Sequence, residues 1–387
     1  MNTQTSPSRR NPVGQSLDQA IDRALAEQRI VGTVVLASQH GRLLYQRAAG
    51  YAERESKQAM QINTLFRYSS LTKPIVSAAV LALAEQGKLA LEQPVSRWLP
   101  QFQPRLADGS TPPITLHHLL NHTAGLSYTF SEPAHAPYHQ AGIGDGIRHS
   151  GELSLEENVR RIAGMPLSFA PGSAFRYSVA LDVLGAVIEQ ASGEPLPQAI
   201  ERLVTGPLRM RDTGFSVVDA QRLAAAYANT AVEPALMPEG YAIPFGEGTS
   251  LVYSPARAFD ARAFPSGGAG MVGSAPDMLR FLDTLRGGGG NILSAESTAR
   301  MMRNQTGALP VNELGPGWSF GYGGAVLVDP AAAQTPQSPG TWLWGGVYGH
   351  SWFVDPQREL SVVALTNTAL EGMIGPFTQD VRDALYV

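Results

Sequence analysis

The sequence contains no cysteine, which excludes disulfides and thiol catalysis and leaves the redox compartment unread. Lysine is nearly as scarce: of 29 basic residues only Lys57, Lys73 and Lys88 are lysines. With a formal net charge of −4 and no basic cluster, the electrostatic footprint of a nucleic-acid binder is missing. Long apolar runs are missing too. The longest, Ile75–Ala84, falls well short of the ~20 residues that span a bilayer, so no membrane partner is expected. Metal-ligand spacing is also absent, since the eight histidines are scattered and His135 and His139 have Pro137 between them. That proline favours a loop over a helical metal face. Neither metal nor cofactor is expected.

Residues Met1–Asn11 are polar, and no apolar segment follows Arg9-Arg10, so residues 1–15 read as a disordered leader on a cytoplasmic protein. Beyond it, 43% hydrophobic and 16% charged residues in a 387-residue chain describe a globular protein of one large domain or two to three smaller ones. Ser16-Leu17-Asp18-Gln19 has the form of a capping box, with a helix predicted over Leu17–Gln28. Strands follow at Thr33–Ala37 and Leu43–Ala49, flanking the hairpin signal His40-Gly41. After a short strand at Leu65–Tyr68 comes an apolar helix running to Gln86, and Pro74 requires that this helix start only a few residues earlier.

From about Leu91 to Gly214 short helices (Leu116–Asn121, Leu155–Ala163, Ser178–Gln190, Leu196–Val204) alternate with Pro/Gly loops. Strand patterns return later, at Gly324–Val328, Thr341–Trp344, Ser351–Val354 and Leu360–Leu365, with helices at Ser274–Leu285 and Phe377–Tyr386. The expectation is one domain from residues 16–90 and 215–387, with a mostly helical insertion at 91–214 and a cleft between them.

Within this frame Ser70-Leu71-Thr72-Lys73 places a hydroxyl one helical turn from an amine. A serine near a helix start often only caps it. Lys73 carries the argument, because Leu71, Ile75, Val76, Ala78 and Ala79 around it would desolvate the ammonium and lower its pKa from ~10.4 toward that of a usable base. Tyr177, at a loop-to-helix junction, would by itself signify packing. Beside a serine nucleophile and a lysine base it becomes a candidate proton relay. Trp344-Gly345-Gly346-Val347 bares a strand edge where a substrate can lie, and the Val347 N–H is a candidate oxyanion donor beside that of Ser70. Two patterns are rejected. Gly268–Gly273 fits G-x-G-x-x-G but follows Phe264-Pro265-Ser266 rather than a buried strand. His350-Ser351 does not make a Ser-His pair, because neighbouring strand residues face opposite ways; nor does any G-x-S-x-G nucleophile elbow occur.

Taken in order and spacing, Ser70-x-x-Lys73, Tyr177-Ser178-Val179 and Trp344-Gly345-Gly346 resemble the three motifs of the serine β-lactamase and penicillin-binding superfamily. The chain is similar to its class C branch, and within it to family VIII carboxylesterases, from about Leu17 to Tyr386. The resemblance implies an α+β, β-lactamase/transpeptidase-like fold, with a central antiparallel sheet flanked by helices. It also implies Ser70 as nucleophile, Lys73 as base, Tyr177 as proton partner and an oxyanion hole from Ser70 and Val347. Tyr128, Trp344, Gly345 and Gly346 would line the substrate site.

The chain departs from the β-lactamase pattern where Trp344 replaces the lysine of Lys-Thr-Gly and Val179 replaces an asparagine. Both changes favour neutral, apolar acyl substrates. The expected activity is hydrolysis of short-chain esters through an acyl-serine. A β-lactamase, D-alanyl peptidase or amidase on the same site is the alternative, and a non-catalytic sensor is the rival from another class. The His- and Gly-containing segment Pro133–Gly151 is expected to cover the cleft and set acyl size.

Overall fold

The computed structural model describes residues 12–387. The chain enters through helix α1 (Pro12–Ala26) and strands β1 (Gly32–Gln39), β2 (Arg42–Glu53), β3 (Gln58–Ala59) and β4 (Leu65–Arg67), and a 3-10 turn at Ser69–Leu71 leads into α2 (Thr72–Glu85). Helices α3 (Leu116–Leu120), α4 (Pro137–Gln140), α5 (Leu155–Ala163), α6 (Ala180–Ser192) and α7 (Leu196–Ile200) come next. They are followed by β5 (Tyr227–Ala228), β6 (Ala235–Leu236), β7 (Tyr241–Pro244), β8 (Ser250–Tyr253), β9 (Val272–Ser274), α8 (Ala275–Arg286) and α9 (Ala295–Met301). The last elements are β10 (Trp318–Phe320), β11 (Ala325–Leu327), β12 (Trp342–Gly346), β13 (His350–Asp355), β14 (Leu360–Thr366), β15 (Thr368–Ala369) and α10 (Pro376–Leu385).

Eight strands form one antiparallel sheet in the order β10-β11-β12-β13-β14-β1-β2-β3, which joins the two ends of the chain. Its centre is β1 against β14, with Val35 opposite Ala364 and Ala37 opposite Val362. These four side chains meet Leu17 and Ile21 of α1 and Phe377 and Val381 of α10 on one face. The alternate residues Val34, Leu36, Val363 and Leu365 join the main core with Met278 and Leu282 of α8. Burial on both faces explains why β1 and β14 carry continuous apolar runs at residues 34–37 and 362–365 instead of alternating. The β1–β2 hairpin turns at His40 (φ 52°) and Gly41 (φ 72°), two left-handed residues whose twist matches that of the strands.

Helix α2 is buried from Thr72 to Leu83, as expected of a helix apolar on every side. It packs against α6, and this pairing brings the segments of Ser70 and Tyr177 together. No helix among the described residues is long and apolar enough to cross a membrane.

Several sequence expectations are corrected. Residues 1–11 of the predicted leader, including Arg9-Arg10, lie outside the described residues, but residues 12–15 are the first turn of α1. Pro12 can open a helix because it has no N–H to leave unpaired, so Ser16 lies inside the helix and its capping box is unused. The short strand expected at Leu65–Tyr68 is present as β4, and it pairs with β9, apart from the large sheet. The helix predicted over Leu196–Val204 stops at Ile200 and widens into a π-turn at Glu201–Thr205, where the Gly206 N–H donates to the Glu201 carbonyl at 2.7 Å. His139 lies in α4, but its Nε2 contacts the Glu132 carbonyl at 3.0 Å, and no metal-binding group of side chains occurs among the described residues.

Candidate active site

Ser70 sits in the 3-10 turn that precedes α2, one residue after Ser69, whose φ of 44° turns the chain sharply. A serine at positive φ costs about 1–2 kcal/mol, and strain of this sort is held only where surrounding packing fixes it. Gly346 of β12 supplies that packing. A Cβ there would fall 2.9 Å from Ser69 Oγ and 3.0 Å from Leu71 Cδ1, so the turn lies directly on bare strand backbone.

Lys73 lies in the first turn of α2, and its Nζ is 3.0 Å from Ser70 Oγ and 2.8 Å from the Gly268 carbonyl, to which it donates. The side chain is fully buried. Burial lowers its pKa from the usual lysine range to about 7, opposed by the nearby Asp182 carboxyl, which favours the charged form. A neutral amine has two N–H groups and one lone pair. With one N–H held by Gly268, the lone pair can face the serine hydroxyl.

Tyr177 reaches the same oxygen from the loop just before α6, with its hydroxyl donating to Ser70 Oγ at 2.8 Å. It in turn accepts from the Trp344 indole N–H at 3.1 Å. Burial raises the phenol pKa well above its ordinary value, so Tyr177 stays protonated across the physiological range. Its ring is fixed by His122, Trp344 and Tyr128 at centroid distances of 4.7, 5.1 and 5.3 Å. Lys73 Nζ lies 4.6 Å from the Tyr177 ring centroid and 5.3 Å from that of Tyr128. Both rings turn their negative π surface toward the Lys73 nitrogen.

The structure therefore brings Ser70, Lys73, Tyr177, Tyr128, Trp344, Gly345, Gly346 and Val347 to one place. Ser70, Tyr128, Tyr177, Trp344, Gly345 and Val347 line a cavity of about 500 Å³. The Gly346–Val347 peptide is oriented by the Gly349 N–H, which donates to the Gly346 carbonyl at 2.9 Å. Because the peptide is trans, the Val347 N–H points away from that turn. Tyr128 differs from expectation in one respect. Its hydroxyl is buried, without a hydrogen-bond partner among the described residues, and a Cβ on Gly268 would fall 2.8 Å from it. The ring forms wall and the hydroxyl turns inward. Within Pro133–Gly151, Asp145 and Ile147 line the cavity, and the Asp145 carboxylate accepts from Thr129 Oγ1 and the Ile147 N–H at 3.1 and 2.9 Å.

Two residues went unread in the sequence, and two rejected patterns have structural roles. Asp182, in the first turn of α6, is fully buried, and its Oδ1 accepts from Ser266 Oγ at 2.6 Å. Burial raises its pKa, while Ser266 and Lys73 oppose the rise. An acid inside the apolar run Val179–Ile188 was the available signal. His122 accepts from the Ser178 N–H at 3.2 Å through Nδ1, and burial, then Lys73, hold it well below the usual histidine pKa. It is thus a neutral backing for Tyr177. Within Gly268–Gly273, rejected as a nucleotide loop, Gly268 lets the chain pass close beneath Asp182 while its carbonyl accepts from Lys73. His350, also rejected, is buried, its pKa lowered by desolvation to about 4, and its Nε2 contacts the Arg67 carbonyl at 2.9 Å.

The Beta-lactamase family model matches residues 17–382 of the chain. Among curated proteins, Esterase EstB of Burkholderia gladioli is 52% identical over 372 residues, covering 96% of this chain and 94% of its own. Lovastatin esterase of Penicillium rubens is 26% identical, covering 92% and 93%. Among solved structures, "EstCE1, a hydrolase with promiscuous acyltransferase activity" superposes with a TM-score of 0.94 at 51% identity, covering 97% of this chain and 99% of its own.

Proposed function

The chain belongs to the Beta-lactamase family, with the β-lactamase/transpeptidase-like fold, and on that premise we propose that it is a serine carboxylesterase acting on short-chain acyl esters. The observation that carries the reading is Ser70 Oγ held between a desolvated amine at 3.0 Å and a protonated phenol at 2.8 Å, at the mouth of a cavity walled by Tyr128, Phe130, Phe175, Phe245 and Trp344. Neutral Lys73 takes the Ser70 proton as Oγ attacks the ester carbonyl. The oxyanion settles on the Ser70 and Val347 N–H groups, and Tyr177 gives its proton to the departing alkoxide while Lys73 returns one to Tyr177. Water then attacks the acyl-serine carbonyl, its proton taken by the same pair, and Ser70 leaves as the alcohol. Trp344, where the resemblance puts a lysine in β-lactamases, offers indole surface and an N–H already bound to Tyr177. A neutral ester fits this wall better than an anionic β-lactam.

Short p-nitrophenyl esters assayed beside a chromogenic cephalosporin test the reading. The expected result is a higher specificity constant for the esters and labelling of Ser70 by a fluorophosphonate. A higher constant for the cephalosporin would favour the β-lactamase alternative, and an unlabelled Ser70 would favour the sensor. A second reading, acyl transfer to an alcohol, is favoured by the apolar walls and by the activity named for EstCE1. It predicts that added butanol diverts acyl groups to butyl ester.

Proton state gives a further expectation. Esterase kcat/KM should rise with pH through about 7 as Lys73 loses its proton, then hold level because Tyr177 keeps its own. The Asp182 carboxyl favours the charged amine, so Asp182→Asn should move this limb to lower pH while still accepting from Ser266. A pH–rate series on both proteins checks the direction.

A further inference from the structure

The cavity at Ser70 is lined by side chains from both faces of the β12–β13 pair. Across this pair Trp344 is opposite Trp352, while Leu343 is opposite Phe353 and Gly345 opposite Ser351. Opposed residues in an antiparallel pair share a face, and successive residues alternate. Trp344 and Trp352 therefore face the catalytic side, where the Trp344 indole meets Tyr177. Leu343, Gly345, Ser351 and Phe353 face the other side, toward the α1/α10 cluster that holds Phe353, Val362 and Val381. Both sets, with Val362 and Val381, line one cavity.

A cavity can join two faces of a sheet only around a strand edge. Strand β11 pairs with β12 no farther than Ala325 opposite Leu343, so no strand pairs with that side of β12 at Trp344 and Gly345. At this edge Gly345 carries no side chain, and a Cβ there would fall 2.6 Å from Met373 Cγ. The backbone passes bare beneath Met373. Ser351, directly across, is the only other small side chain on that face of the pair, before Leu343 and Phe353 raise the floor. At the far end Arg382 is already paired with Asp383 at 2.7 Å, so no free charge there asks for a carboxylate.

We propose that the catalytic cavity continues around the edge of β12 at Gly345 into a second, apolar arm between the sheet and α10, and that this arm takes an apolar chain of the ester, admitted by Gly345 and Ser351. The inference rests on the esterase reading and extends it to specificity. The chain belongs to either the acyl or the alcohol half of the ester, and the two halves are separable by experiment.

One series lengthens the acyl group of p-nitrophenyl esters from acetate to octanoate; the other lengthens the alcohol of acetate esters from ethyl to octyl. Ser351→Phe should lower kcat/KM for the long members of one series by on the order of 10-fold or more, the scale of a few methylenes excluded from apolar contact, and leave acetate and ethyl members near wild type. Met373→Trp, which narrows the mouth without entering the sheet, should do the same if the phenylalanine variant folds poorly. An equal loss on short and long members, or no loss in either series with both variants folded, would overturn the arm. Failure of the wild-type protein to hydrolyse any member would instead overturn the esterase reading.

Discussion

Lys73→Arg should lower ester turnover by ~10³-fold or more, because guanidinium stays charged at every working pH and has no lone pair for the serine proton. The geometry makes the substitution severe. Lys73 is fully buried, with its Nζ fixed between Ser70 Oγ and the Gly268 carbonyl, and the fork of an arginine would bring five donors to a place with two acceptors. Misfolding is the obvious confusion. Lys73→Met separates the two effects, since it keeps the length of the chain among apolar neighbours while removing the base. It should melt cooperatively near the wild-type temperature and be as inactive as Ser70→Ala. The double variant Ser70→Ala/Lys73→Met should lose little more than either alone, as groups acting as one unit do. Near-normal turnover of Lys73→Arg at neutral pH would contradict a neutral amine as the base.

That lysine was legible in the sequence because scarcity and setting coincided: three lysines in the chain, one of them in its most apolar helix and three residues after a serine. The large sheet was legible for a similar reason, since β1 and β14 are covered on both faces and residues 34–37 and 362–365 are apolar without a break. What escaped was whatever depends on approach between distant segments. Strand β4 has only three residues, and nothing local says that it pairs with β9 instead of the large sheet. The pattern Gly268-x-Gly270-x-x-Gly273 reads in the sequence only as a rejected nucleotide loop, and the packing role of its first glycine is visible only when α2 and α6 are placed around it. There the absent side chain at Gly268 leaves room for the Tyr128 hydroxyl and the Asp182 carboxyl, 2.8 and 3.0 Å from where a Cβ would be. Asp182 was discoverable, being a charge among apolar residues, whereas the left-handed His122 that backs Tyr177 left no periodic signal. The start of α1 was misread because a serine inside a helix can have the spacing of a cap, while the proline that opens it gives no apolar signal.

Tyr177→Phe should be the other large loss, ~10²–10⁴ in kcat, the range that a positioned general acid supplies. The phenylalanine ring keeps its packing on His122 and Trp344 and its face toward Lys73, so the fold and the desolvation of the amine should be retained. Only the hydroxyl goes, and with it the 2.8 Å bond to Ser70 Oγ and the acceptor for the Trp344 N–H. The dependence on leaving group then identifies what that hydroxyl does. An alkoxide cannot leave without a proton at neutral pH, whereas p-nitrophenolate can. If Tyr177 protonates the leaving oxygen, the variant should lose at least ~10-fold more on ethyl butyrate than on p-nitrophenyl butyrate. An equal loss on the two would mean that the hydroxyl serves Ser70 alone, and the proton for the departing alcohol would have to come from Lys73 directly.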